Sequence, residues 1–148
     1  MLMSASLGGM ALAAPSADTQ LLVDPAISKM TGAELVSARQ QAMRQDGTIL
    51  RSAIDQGPDP AALAVLLQNL TNLPQMFPTG SVTAKSNALP AIWKQNDDFL
   101  SIFAEAKRAA SVMKDAAGSG DAGLFGDASR ALGATCDECH QTYRRSLP

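Results

Sequence analysis

The chain is poor in the side chains that build most catalytic and metal sites. In 148 residues there are two cysteines, one histidine, one tryptophan, one tyrosine and four phenylalanines. A self-contained structural zinc site wants four ligands, and Cys and His together supply three. Peroxidase chemistry normally wants a distal acid–base group, and no second imidazole exists to serve as one. No catalytic residue is assigned, and an enzyme is not expected. Positive charge is not in excess either: 12 Lys and Arg stand against 14 Asp and Glu, for a net charge of −2. No Lys/Arg run breaks that balance, so nucleic acid and anionic membrane surfaces are not expected partners. The uncharged stretch from Met1 to Pro15 is shorter than the roughly 20 residues a bilayer span needs, so stable membrane insertion is not expected. No run of useful length alternates with the period of a strand. With many alanines and few aromatics, the composition favours helices packed closely through small side chains.

What is present is concentrated. Both cysteines and the histidine fall in Cys136-Asp137-Glu138-Cys139-His140, with eight residues after them. The C-x-x-C-H order is the attachment signature of c-type haem. Two thiols one helical turn apart can each add to a vinyl group of one porphyrin, and the adjacent imidazole can ligate its iron. One covalently attached haem c per chain is the expectation. Three other readings compete. A zinc half-site would need a second subunit. A thioredoxin-like pair would follow a strand, and nothing before Cys136 reads as one. A disulfide closed within the motif would be strained.

Residues 1–17 differ from the rest. Ala11-Leu12-Ala13 fits an A-x-A cleavage site, although no basic stretch precedes the apolar segment. They read as the remnant of an export signal or as a native tail, with a single domain over residues 18–148. Export to the periplasm agrees with haem c, which is attached outside the cytoplasm.

Four helical segments follow. Thr31-Gly32-Ala33-Glu34 is a capping box. Val36, Gln40, Met43, Gly47, Leu50 and Ile54 then recur at steps of four and three up to Gly57-Pro58. Asp59-Pro60 reads as an N-cap with Pro at the first helical position, followed by Leu63, Leu66, Leu67 and Leu70. Pro74 and Pro78 close that helix, and residues 75–89 read as an ordered loop. Pro90 opens the third and longest helix, with Ile92, Asn96, Phe99, Phe103, Ala106, Ala110 and Met113 at heptad spacing. It ends at Gly118-Ser119-Gly120. Asp121 caps the last helix, on which Phe125, Ala128, Leu132, Cys136 and Cys139 share a face and His140 leans over the same region. The expected fold is all-α, an antiparallel up-down-up-down four-helix bundle.

From about Glu34 to Arg145 the chain resembles the cytochrome c′ family. Four segments carry the likeness: Arg39-Gln40-Gln41-Ala42-Met43; Leu73-Pro74 with Phe77; Pro90-Ala91-Ile92-Trp93; and Cys136 through Arg144. The resemblance implies that Cys136 and Cys139 hold the haem and that His140 is the axial iron ligand. It implies that Arg39 pairs with a haem propionate, with Gln40 beside it, and that Arg144 lies near the proximal side of the iron. A solvated Arg39, and an Arg144 that merely completes the helix end, are the plainer readings. Met43 falls where most members carry an apolar residue and leave the sixth iron site empty. Close relatives of the same fold use a first-helix Met there as a sixth ligand. Met43 is read here as filling space, with coordination as the alternative. Trp93 is read as core or haem-edge packing, and Tyr143 as packing near the porphyrin. The implied function is binding of nitric oxide and carbon monoxide together with single-electron transfer to redox partner proteins. Dioxygen would bind poorly for want of a distal donor near Met43. The family habit of pairing helices one and two implies a homodimer, through a face including Ala33, Leu35, Ala42, Ile49 and Leu63.

Overall fold

The computed structural model describes residues 21–147, so the expected leader at 1–17 lies outside the described residues. The chain is an antiparallel up-down-up-down bundle of four long helices: α1 (Gly32–Gln56), α2 (Pro60–Asn72), α4 (Asn96–Ser119) and α5 (Ala122–Tyr143), with a single short turn, α3 (Ala91–Lys94), before α4. Among the described residues there is no strand, only one isolated bridge between Ala88 and Arg144. No helix of the described residues is long and apolar enough to cross a membrane.

The ends of the helices are set by local chemistry. Thr31 Oγ1 accepts from Glu34 N–H, and Thr31 N–H donates to Glu34 Oε2 at 2.7 Å, which closes the capping box. Gly57, at φ 94°, takes the chain out of α1 in a conformation other residues resist. Asp59 accepts from the Ala61 and Ala62 amides, with Pro60 at the first helical position. Gly120, in the left-handed region, ends α4, and Asp121 then caps α5 by accepting from Leu124 N–H. A 3₁₀ turn at Pro25–Lys29, capped by Asp24, was not anticipated from the sequence.

The core follows the expected stripes on α2 and α4. Leu63, Leu66, Leu67, Leu70, Phe99, Phe103, Ala106, Ala110 and Met113 are all buried. Asn96 is exposed, and the third helix is not continuous from Pro90. It breaks at Gln95, whose φ of −123° and ψ of 46° are not helical. The cause lies in Asn96, whose side-chain Nδ2 donates to the Ile92 carbonyl that its backbone amide would otherwise take.

α1 departs from expectation in register. Its buried face is Leu35, Val36, Arg39, Ala42, Asp46 and Ala53. Of the expected stripe only Val36 is buried; Gln40, Met43, Gly47 and Leu50 are half-buried, and Ile54 is 59% exposed. The expected dimer face holds only in part: Ala33 is exposed and Ile49 half-buried. Leu35, Ala42 and Leu63 are core residues, 1–7% exposed, and cannot meet a second copy.

Residues 77–90 form an ordered loop that crosses to the end of α5. Leu89 N–H donates to the Tyr143 carbonyl at 2.9 Å, and Arg145 N–H donates to that of Asn87 at 2.7 Å. The loop therefore covers the end of the helix that carries the cysteines.

Candidate functional site

Two hollows lie where α1 and α5 face each other. The larger, a half-open cleft of about 690 Å³, is lined by α1, the loop and the end of α5, and includes Gln40, Met43, Gly47, Phe77, Cys139, His140, Tyr143 and Arg144. The smaller, about 120 Å³, is walled mostly by apolar side chains: Leu50, Leu66, Leu70, Leu73, Ile102, Phe103, Ala106 and Leu132, together with Met43, Asp46, Cys136, Cys139 and His140. The larger falls within the usual range for cofactor and ligand pockets, about 300–1,000 Å³. The half-buried stripe of α1, Gln40-Met43-Gly47-Leu50, is thus the face that lines a cavity rather than the core. Gly47 lines both hollows, and a Cβ there would stand 3.4 Å from Arg51 Nη1.

Both cysteines are free and half-buried. Burial pushes the Cys136 thiol up to about 11, with the charges of Asp46 and Asp137 acting in the same direction. The Cys139 thiol is likewise raised to about 11, chiefly by burial. Without a bound group both are therefore neutral thiols near pH 7, unlike the lowered thiol of a redox C-x-x-C pair. Among the described residues no three His, Cys, Asp or Glu side chains form a group suited to a metal ion. His140 is lowered by burial and then by the nearby Arg144 charge, which favours the neutral imidazole that ligates iron. The donor set, the two thiols one turn apart on the cavity wall and the size of the cleft all fit a covalently bound haem.

Arg39 is not turned toward the cleft as a free cation. It is 3% exposed, and its Nη1 donates to the Met76 carbonyl and Ser81 Oγ, both at 2.9 Å. Its Nη2 donates to the Ser81 carbonyl at 2.8 Å and to Ser86 Oγ at 3.0 Å. The guanidinium also stacks over Phe77, 4.4 Å from the ring centroid. Gln40 adds a further tie to the loop, Nε2 to the Lys85 carbonyl at 2.8 Å. Arg144 lies beside His140 on the cleft wall, with its Nε buried and lacking a hydrogen-bond partner. Trp93 lines neither hollow; its Nε1 donates to the Phe77 carbonyl at 3.0 Å. Tyr143 lines the cleft and packs edge-on against Phe99 at 5.2 Å.

Asp46 is the group that sequence reasoning passed over. It is 9% exposed, its Oδ1 accepts from Asn69 Nδ2 at 2.7 Å, and its Oδ2 has no partner. Burial raises its carboxyl to about 7. It lines the small hollow with Met43 and the two cysteines, so the surroundings of Met43 are not free of polar groups. Arg39 and Asp46 sit seven residues apart on one helical face, which is a core face only in the observed register of α1. Charged side chains placed there need a reason.

The bundle and its thiol-lined cavity define a haem protein of the c type, with the haem covalently attached. The Cytochrome C' family matches residues 34–144. This chain belongs to the cytochrome c′ family. Among its relatives, a cytochrome c-554 of Cereibacter sphaeroides is 43% identical over 94 residues, covering 62% of this chain and 66% of that protein. A cytochrome c′ of Pararhodospirillum photometricum is 33% identical over 121 residues, covering 74% of this chain and 94% of that one. In three dimensions the chain is similar to the nitric oxide complex of a cytochrome c′ variant from Alcaligenes xylosoxidans. That likeness has a TM-score of 0.71 at 22% identity and covers 79% of this chain and 98% of that one.

Proposed function

We propose that the protein is an exported, periplasmic haem protein that binds nitric oxide and carbon monoxide at a five-coordinate iron ligated by His140, and that passes single electrons. The observation that carries this reading is the shared wall of the small hollow, where Cys136, Cys139, His140 and Met43 meet a lining of Leu and Phe. Cys136 and Cys139 would hold the porphyrin through thioethers, and His140 would give the iron its protein nitrogen. The haem supplies reversible binding of diatomic ligands and a one-electron change at iron. The side chains do the rest. Leu50, Leu66, Leu70, Ile102 and Phe103 exclude water and leave room only for small, uncharged ligands. Met43 crowds the iron site without coordinating it. Arg39 and Gln40 hold the loop that walls the cleft, and Arg144 places a positive charge beside His140. The fold shared with a protein crystallised with nitric oxide supports the ligand class. A homodimer and redox partner proteins belong to the same reading and rest on the family.

A second reading has one observation behind it. Met43 is a thioether that lines both hollows together with His140. As a sixth ligand it would make the protein a low-spin electron carrier. Absorption spectra of the oxidised and reduced holoprotein decide between them. A high-spin spectrum with ready nitric oxide binding supports the first. A low-spin spectrum with a sulfur-to-iron band near the red end supports the second. A properly matured protein with no Soret band overturns both.

A further inference from the structure

The mouth of the cleft carries charge of one sign. Arg44, Arg51 and Lys85 are exposed on its lining, Arg144 is half-buried and Arg39 buried, five of the chain's 12 Lys and Arg, and none of its 14 Asp and Glu lines it. Every wall agrees. Along α1 from Gln40 to Arg51 the one acid is Asp46, which is buried and lines the small hollow instead. The loop from Phe77 to Pro90 has Lys85 as its single charged residue, and the tail after Tyr143 contributes Arg144 and Arg145. Asp55, an exposed residue one turn beyond Arg51, is the next acid on α1.

Arg39 is spent on the loop and Arg51 donates to Thr48 Oγ1 at 3.4 Å, but no carboxylate pairs with Arg44, Arg51 or Lys85 among the described residues. Arg44, Arg51 and Lys85 are exposed. Among the described residues the ion pairs are Arg108–Glu105 and Arg130–Asp127, both on other surfaces of α4 and α5. The Arg51 guanidinium lies back over Gly47, at the edge of the cleft. The two carboxylates of a bound haem would offset part of this charge.

We infer that the rim of Arg44, Arg51 and Lys85 is the docking surface for an acidic electron-transfer protein. The inference rests on the electron-transfer part of the proposed function. A protein of net charge −2 would as a whole repel such a partner. A local field of opposite sign at the cofactor's opening reverses that at short range and turns the partner toward the one face from which an electron can pass.

The test uses the reduced holoprotein and two inorganic oxidants of opposite charge. In each reaction one electron leaves the haem iron, reducing hexacyanoferrate(III) to hexacyanoferrate(II), or tris(phenanthroline)cobalt(III) to cobalt(II). Rates are followed by stopped flow between 10 mM and 300 mM salt. The expected result is a rate with hexacyanoferrate that falls as salt rises, and a rate with the cobalt complex that rises. The variant R44Q/R51Q/K85Q should slow hexacyanoferrate about tenfold at low salt, the lower end of steering effects, and flatten its salt dependence. The variant K107Q/K114Q/R130Q removes the same charge away from both hollows and should change neither by more than about twofold. Reduced plant-type ferredoxin, an acidic protein donating to the oxidised form, should follow the hexacyanoferrate pattern. Salt slopes of the opposite sign, or equal effects of the two triple variants, overturn the docking surface while leaving electron transfer intact. No electron exchange with any reagent overturns the electron-transfer reading and the docking surface with it.

Discussion

Met43 on α1 and His140 on α5 line both hollows between these helices, so two residues 97 positions apart share the same space. This places the thioether and the imidazole on walls contributed by different helices. Met43→Ala separates their roles. If Met43 only crowds the site, the variant stays high-spin and binds carbon monoxide about tenfold more tightly, for a relief of roughly 1.4 kcal/mol. If Met43 is a ligand, the spectrum changes from low to high spin. Titration with carbon monoxide alongside the absorption spectrum gives the answer, and no change in either would place Met43 away from the iron.

Asp46 makes stability depend on pH. Its carboxyl titrates at about 7 in the fold against an ordinary 3.8, because burial disfavours the anion. The unfolded chain ionises first as pH rises, so the folded state loses ground between about pH 4 and pH 7 and levels off above. The difference amounts to at most about 4 kcal/mol. Asp46→Asn keeps an acceptor for Asn69 and should abolish that slope, making the variant more stable than wild type at pH 8 and similar at pH 4. Denaturant midpoints of the holoprotein at both pH values test this; a constant gap between the two proteins would refute it.

The two thiols are expected to act separately. Cys136→Ala or Cys139→Ala should leave one thioether, seen as a red-shifted alkaline pyridine spectrum. The double variant should release its haem into acid acetone. Retention of two thioethers in either single variant is incompatible with the assignment.

Arg39 is a loop anchor by its hydrogen bonds. Arg39→Ala strips four donors from Met76, Ser81 and Ser86 and leaves buried acceptors unmet. The cost should be about 3 kcal/mol, or roughly 10 °C in Tm, with amide protection lost over residues 77–89. Full protection of that loop in the variant, beside a shifted reduction potential, would return Arg39 to the propionate role that the family resemblance implies.

The helices were legible because their caps are local. Thr31 with Glu34, Asp59 with Pro60, and Asp121 each act within three residues. The haem motif was legible because its chemistry is confined to five adjacent positions. What escaped was set by distance along the chain. The register of α1 follows from which face meets the cavity and which meets α2 and the loop, and the polar interruptions at Gln40 and Gly47 looked like flaws in a core stripe. The buried state of Arg39 depends on loop acceptors about 40 residues away. Asp46 drew no notice because its partner, Asn69, lies on another helix. The break at Gln95 came from one side chain competing for one carbonyl, too fine a signal beside a clean heptad.

The stitching of Asn87 and Leu89 to Tyr143 and Arg145 joins the middle of the chain to its last few residues. The grip falls directly after Cys139 and His140 on the same helix, so whatever frees the loop also loosens the stretch of α5 that carries the donors, and the two walls of the cleft give way together.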